Sequence, residues 1–400
     1  MQLEPESFDL TIVGGGLVGS SLACALEPFG LRIALIEAAQ SAHVASGFDQ
    51  RKLALSKLSL DALRQLGVLQ RLSYQPTAIT QIHVSRVGDF GRVLLKASEF
   101  GHSSFGAVVL AQDLGEALVG QVNALKNTQR YCPANVTNLR ITDSGAELHV
   151  ETASEGAKLI HAGFVVAADG THSLVRTALG IGTLEHDYQQ QLFVCSLQAE
   201  KPSNGVAYER FSEQGPIALL PMGDGQYGAI CGVATERAVE IAGLSDSDFS
   251  DYFQQRFGWR VGKILQVGKR SHYPLKRVLA ERIAVPGCVL MGNAAQTIHP
   301  IGAQGFNLGL RDVLTFADLV KQFGLHEDMP TLYAQSRMED REHTLAFSDG
   351  LAKLTSNQGF PLHALRSVAL SSIGQMPHLA ASMVSAAMGM RHQHLLDASA

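Results

Sequence analysis

FDLTIVGGGLVGSSLACALEPFGLRIALIE, Phe8 to Glu37, is the stretch on which the fold turns. A β-branched run leads into a glycine cluster, then an Ala/Leu-rich segment of helical character, then a second apolar run that ends in Glu37. Gly14, Gly16 and Gly19 fit G-x-G-x-x-G between a strand and a helix. In that setting Gly14 permits the tight turn, Gly16 lets the backbone approach a pyrophosphate, and Gly19 lets helix pack on strand. The helix would then present unpaired N–H groups and the positive end of its dipole to the phosphates. Glu37 stands about 20 residues on, where a carboxylate accepts hydrogen bonds from ribose hydroxyls. The same carboxylate would repel a 2'-phosphate and so disfavours NADP. This stretch predicts a Rossmann-like α/β domain with a bound dinucleotide, and both NAD and FAD fit it.

Two later stretches repeat the pattern of buried strand, small-residue turn and helix. FVVAADGTHSLVR, Phe164 to Arg176, is an apolar strand ending in Asp169-Gly170, with Thr171 or Ser173 as the cap of a short helix. GNAAQTIHPIGAQGFNLG, Gly292 to Gly309, follows the apolar run CVLMG and precedes a helix that should start near Gly305. Between them, residues 183–281 alternate apolar and polar, as in LFVCSLQAE and QYGAICGVAT, which predicts a half-exposed antiparallel sheet. The stretch Gly359 to Met390 is apolar, low in charge and broken by Pro, and reads as two short helices. Packing on the protein's own core or a subunit partner is favoured for it over contact with a membrane.

Composition narrows the class. An apolar fraction of 46% with 17% charged residues is that of a globular chain, and 400 residues suffice for about two domains with a deep core. A formal charge of -5, with no basic cluster along the sequence, argues against nucleic acid as a partner. The five cysteines lie far apart without a CxxC pair, which suits reduced thiols rather than disulfides or a metal site, and no metal is expected. The start MQLEPESFDL lacks the basic, then apolar, character of an export signal, and no apolar run reaches the roughly 18 residues needed to span a bilayer. A cytoplasmic protein is expected, with at most peripheral contact at the inner face of the membrane.

Taken together, the three glycine-bearing elements resemble the flavin-dependent aromatic hydroxylases, the single-component FAD monooxygenases with the para-hydroxybenzoate hydroxylase fold. The third element of that family usually reads Gly-Asp-Ala-Ala-His, then Pro, then a Gly-x-Gly run ending in Asn. Here Pro300, Gly302, Gly305 and Asn307 match, while Asn293 stands for the Asp and Gln296 for the His. GFDQRKLALS (Gly47 to Ser56), YERF (Tyr208 to Phe211), FGWRVGKI (Phe257 to Ile264) and KRSHYPL (Lys269 to Leu275) are similar to the ubiquinone-biosynthesis branch of the family. The likeness covers most of residues 8–350 and little of the last 50.

The resemblance implies a GR2-type FAD-binding domain from residues 1–75, 100–182 and 282–330, and a mixed-sheet substrate domain from 76–99 and 183–281. Residues 331–400 would form a C-terminal helical region. It implies FAD as the resident cofactor, O2 as oxidant and NAD(P)H or a reductase as electron donor. A flavin C4a-hydroperoxide would pass oxygen to a polyprenylated methoxyphenol. Contact with other ubiquinone-biosynthesis proteins is implied as well. Another aromatic substrate is the nearest alternative, and the changes at Asn293 and Gln296 leave room for a flavoprotein that only serves as a scaffold. For the site, the resemblance puts Arg51 on the pyrophosphate, Gln112 on the adenosine side and Asn293 toward the ribityl and pyrophosphate portion, with Asp169 and Gly292 also among the FAD-binding residues. Gly302, Ala303 and Gly305 would run beside the ring, Asn307 is a further cofactor-binding candidate, and His299 and Pro300 would stand beside the reacting face.

Overall fold

In the computed structural model of the chain, residues 4–39, 51–89, 91–299, 304–356 and 396 are described. Pro300, Gly302, Ala303 and the apolar stretch 359–390 lie outside them. The run after Glu6 forms a strand, Glu6–Val13, at the centre of an eight-stranded sheet. Cys288–Leu290, Gly156–Ala167, Glu6–Val13, Ile33–Ile36 and Thr128–Tyr131 run parallel in that spatial order. These strands are apolar almost without interruption because both faces of the sheet are covered, and Leu10, Ile12, Ile33 and Leu35 have no exposed surface. Helices Leu17–Leu26, Ala111–Val122 and Gln304–Phe323 pack with the sheet into one apolar core. The hairpin Ala134–Thr142 and Gly145–Thr152 extends the sheet antiparallel to the first half of Gly156–Ala167.

The second sheet has nine strands, and its spine is Thr183–Ala199, paired with Gln226–Ala234 on one side and with Ser271–Ala280 and Ile264–Val267 on the other. It is mixed, since Val206–Phe211 runs parallel to Gln81–Arg86. The expected half-exposure does not hold at its centre, where Leu192, Phe193, Val194 and Cys195 are all buried. One face is covered by helix Asp246–Phe257, whose Phe249, Phe253 and Phe257 pack on Phe193, Cys195 and Leu197. Under the other lies the three-stranded sheet Lys52–Ser56, Thr77–Ile79 and Gly106–Leu110: a Cβ at Gly228 would stand 2.6 Å from the Lys52 side chain. Alternation in sequence therefore marks two different apolar faces here, not one wet face.

The spine strand is interrupted once. Its register against Ser271–Ala280 slips between Asp187 and Gln191, and Gln189 inside the slip has φ 54°, a left-handed conformation that costs a non-glycine residue about 1 kcal/mol or more. Asp187 Oδ1 offsets part of this by accepting the Gln189 N–H at 2.8 Å. The slip carries Tyr188 against His299, ring centroids 4.8 Å apart and edge to face. Among the described residues no helix is long and apolar enough to cross a membrane.

Candidate flavin site

The glycines of the first turn differ in their surroundings. Gly14 has φ 103°, and a Cβ there would lie 2.4 Å from the Ala168 carbonyl oxygen; at Gly19 it would lie 1.9 Å from the Gly14 carbonyl oxygen. Both positions are closed to any side chain by neighbouring backbone. Gly16 differs: its φ of -69° suits any residue, and a Cβ would meet nothing within 4 Å. It caps the helix Leu17–Leu26 without a side-chain hydrogen bond, so the first N–H groups of that helix face a backbone cradle that a side chain would fill. Glu37 follows the strand Ile33–Ile36 and its carboxylate accepts from Gly15 N at 2.7 Å and Ala39 N at 2.8 Å. Those bonds fix it against the turn and still leave lone pairs for further donors.

The three remote loops meet. Ala168 N donates to the Val13 carbonyl at 2.7 Å and Met291 N to the Ala167 carbonyl at 2.8 Å, which stitches the three strand ends side by side. A Cβ at Gly292 would stand 2.9 Å from Val18, and one at Gly309 would stand 2.8 Å from Val18 and 3.3 Å from Gly292 Cα. The helix from Gln304 thus enters against the dinucleotide turn, with Gly305 facing open space. Asp169 Oδ2 accepts the Val175 N–H at 3.1 Å, while Ser173, not Thr171, caps the helix Leu174–Ala178 by accepting from Arg176 N. Asp169 Oδ1 is buried and has no hydrogen-bond partner among the described residues. A carboxylate oxygen held dry without a donor is costly, and a ligand hydroxyl at that point would satisfy it.

Other predicted residues have different surroundings. Asn293 is exposed, and its carbonyl accepts from Thr297 Oγ1 at 3.5 Å. Asn307 is buried and commits its amide to the chain itself: Oδ1 accepts from Ser56 N at 2.9 Å and Ser59 Oγ at 2.7 Å, and Nδ2 donates to the Ala54 carbonyl at 3.0 Å. Its side chain locks the helix Gln304–Phe323 to the strand Lys52–Ser56. Arg51 is exposed, and Gln112 in the first turn of Ala111–Val122 donates to Glu116 at 3.0 Å.

A buried set of charges behind the third loop escaped the sequence reading. Asp312 accepts from Gly292 N at 3.0 Å, Gln296 Nε2 at 2.8 Å and Arg337 Nε at 2.7 Å. Arg337, 1% exposed, also pairs with Asp340 at 2.6 Å, which holds Arg311 at 2.8 Å. Burial opposes the charge on Arg337, yet Asp312 and Asp340 hold its pKa above the ordinary arginine value. Gln296 Oε1 in turn accepts from Arg341 at 3.0 Å. The Gln296 amide thus joins helix Met329–Ser356 to the loop. On the other side, Arg176 donates to the Ala294 carbonyl at 2.9 Å and the Thr171 carbonyl at 2.7 Å, clamping the second loop to the third. Arg176→Ala is expected to lower stability by about 2–3 kcal/mol, as a buried and a half-buried carbonyl lose their charged donor, with a matching fall in the urea midpoint.

The chain matches the family model described as "FAD binding domain" over residues 7–322. It is 31% identical to ubiquinone hydroxylase UbiL of Rhodospirillum rubrum, across 95% of this chain and 89% of that one. It is 27% identical to 3-demethoxyubiquinol 3-hydroxylase of Escherichia coli, across 96% and 99%. Among solved structures, p-nitrophenol 4-monooxygenase PnpA from Pseudomonas putida superposes with a TM-score of 0.79 at 16% identity, over 97% of this chain and 98% of that one, a likeness of fold. A parallel sheet with an open glycine turn, two further loops closing on it and relatives of this kind along nearly the whole chain lead to one conclusion: the chain belongs to the FAD binding domain family.

Proposed function

We propose that the chain is an FAD-dependent monooxygenase of ubiquinone biosynthesis that hydroxylates a polyprenylated methoxyphenol. The observation that carries the reading is the meeting of Gly14–Val18, Asp169 and Gly292 around a cradle where Asp169 Oδ1 lacks a donor and Gly16 has no side chain. The names of two relatives, a ubiquinone hydroxylase and a 3-demethoxyubiquinol 3-hydroxylase, support the substrate class.

In this reading Gly14, Gly16 and Gly19 with the helix N-terminus hold the pyrophosphate, with Arg51 beside it, and Glu37 takes the adenosine ribose with Gln112 nearby. Asp169, Gly292 and Asn293 serve the linking chain, Gly305 faces the ring and Asn307 fixes the helix that carries it, while Gly302 and Ala303, which the resemblance puts beside the ring, lie outside the described residues. When bound, FAD would supply the activation of O2 and the oxygen atom passed to the phenol, with NAD(P)H or a reductase as the source of electrons. The protein's own part is to hold the phenol close, keep water out and accept the phenolic proton. His299 is the candidate for that proton: it is buried, stacked edge-on by Tyr188, and adjoins Pro300. His299→Asn is expected to keep full flavin content while lowering kcat by about 100-fold, the usual range for losing a general base. Absorbance of the purified variant and steady-state product formation measure the two arms.

The pathway is tested by profiling quinone intermediates in cells lacking the protein. A methoxyphenol precursor should accumulate and return to normal on re-expression. An unchanged quinone pool would remove this substrate.

A further inference from the structure

The nine-stranded sheet carries a second polar cluster on the face turned away from the three-stranded sheet. In register across its edge strands, Arg210 pairs with Ser85 and Ser85 with Arg92; one step along, Tyr208 pairs with His83 and His83 with Leu94. Residues in register share a face, so these side chains stand together. The opposite face of the same strands, with Val93, Leu95 and Ala207, packs on Phe105 and Val108. Arg260 joins the cluster from the turn that follows helix Asp246–Phe257, whose Phe257 ring meets Tyr208 edge-on at 5.7 Å. Burial, then the charges of Arg260, Arg92 and Arg210, hold the His83 imidazole below its ordinary pKa. Burial and the Arg260 charge do the same to Arg210.

Two features point to a ligand. Arg210 Nε donates to the Arg256 carbonyl at 3.2 Å, but among the described residues no carboxylate pairs with Arg92, Arg210 or Arg260. Beside them, His83 Nδ1 and Ser85 Oγ are buried without a hydrogen-bond partner among the described residues, in side chains 7% and 3% exposed. Mutually repelling cations set around dry, unpaired polar groups cost stability when alone and suit an anion with several acceptor oxygens.

We propose that Arg92, Arg210 and Arg260, with His83 and Ser85, form a binding site for a phosphate group. Guanidinium forks match phosphate oxygens in pairs, and the hydroxyl and imidazole add shorter-range donors. The phosphate belongs either to a lipid headgroup or to a free phosphate. Leu94, 39% exposed on the same face, and Trp259, 66% exposed beside Arg260, give the margin the apolar and aromatic character found where proteins meet headgroups. The three arginines are scattered along the sequence, so no charge run announces them.

Trp259 is the chain's single tryptophan and reports directly on the site. The flavin-loaded protein is titrated at constant ionic strength with phosphatidylglycerol vesicles, phosphatidylcholine vesicles and inorganic phosphate, reading Trp259 emission and, for vesicles, co-sedimentation. A saturable response is expected that weakens about tenfold or more in the double variant Arg92→Gln/Arg260→Gln and is unchanged in Arg140→Gln on the distant hairpin. A response to phosphatidylglycerol without one to inorganic phosphate assigns the lipid source, whereas inorganic phosphate that binds and displaces the vesicles assigns the free one. Flavin absorbance and melting temperature verify the double variant; if it fails to fold, the exposed Arg92→Gln alone should weaken binding several-fold. Absence of a saturable response to both anions, equal binding to phosphatidylcholine, or unchanged binding in folded variants would overturn the site.

Discussion

Asp312→Ala is expected to destabilise the protein by about 3–5 kcal/mol and to strip it of flavin. Arg337 would be left almost wholly buried with one of its two carboxylates gone, and removing one partner of a buried pair costs in that range. The same substitution frees Gly292 N and Gln296 Nε2, both buried donors, so the third loop loses its anchor together with the helix Met329–Ser356. Asp312→Asn should be milder, because the amide oxygen can still accept from Gly292 N while the charge opposite Arg337 is gone. Urea denaturation and the ratio of flavin to protein absorbance measure both effects. If Asp312→Ala retained flavin and lost under about 1 kcal/mol, the network would not be holding the loop.

Gly16→Leu is the complementary experiment, with function lost and the fold kept. The backbone at Gly16 is in a region open to all residues and a Cβ meets no protein atom, so the variant should melt within a few degrees of the flavin-free parent. The leucine side chain would occupy the cradle at the helix N-terminus, and FAD affinity should fall by at least about 100-fold, equivalent to about 3 kcal/mol. Gly19→Leu would instead fail to fold, its Cβ being driven into the Gly14 carbonyl at 1.9 Å. The contrast between two glycines three residues apart separates cofactor approach from packing, and flavin titration of the refolded proteins reads it.

What the sequence made legible is local. The dinucleotide turn, the acid after the second strand, the Ser173-capped turn and a helix beginning beside Gly305 are set by neighbours within a few residues, and each stands where its pattern put it. What stayed hidden is long-range. Arg176 reaches Ala294, Asn307 reaches Ala54 and Ser56, and Arg341 reaches Gln296, and no spacing rule links such partners. Gln296 shows the consequence: read alone it is a departure from the family's His, but in the fold it is a strut between Asp312 and Arg341. The alternation of the second sheet marks strands, but at the sheet's centre it does not mark a wet face, because an apolar residue facing a helix and one facing another sheet look alike in sequence.

The chemistry itself is decided by supplying the flavin-loaded protein with a polyprenylated methoxyphenol, reductant and isotopically labelled dioxygen, and weighing the product. One labelled oxygen atom per hydroxylated ring, absent in Gly16→Leu, is the predicted result. An unlabelled hydroxyl, or reductant consumed with the phenol recovered intact, would contradict the assignment of this chain as a hydroxylase.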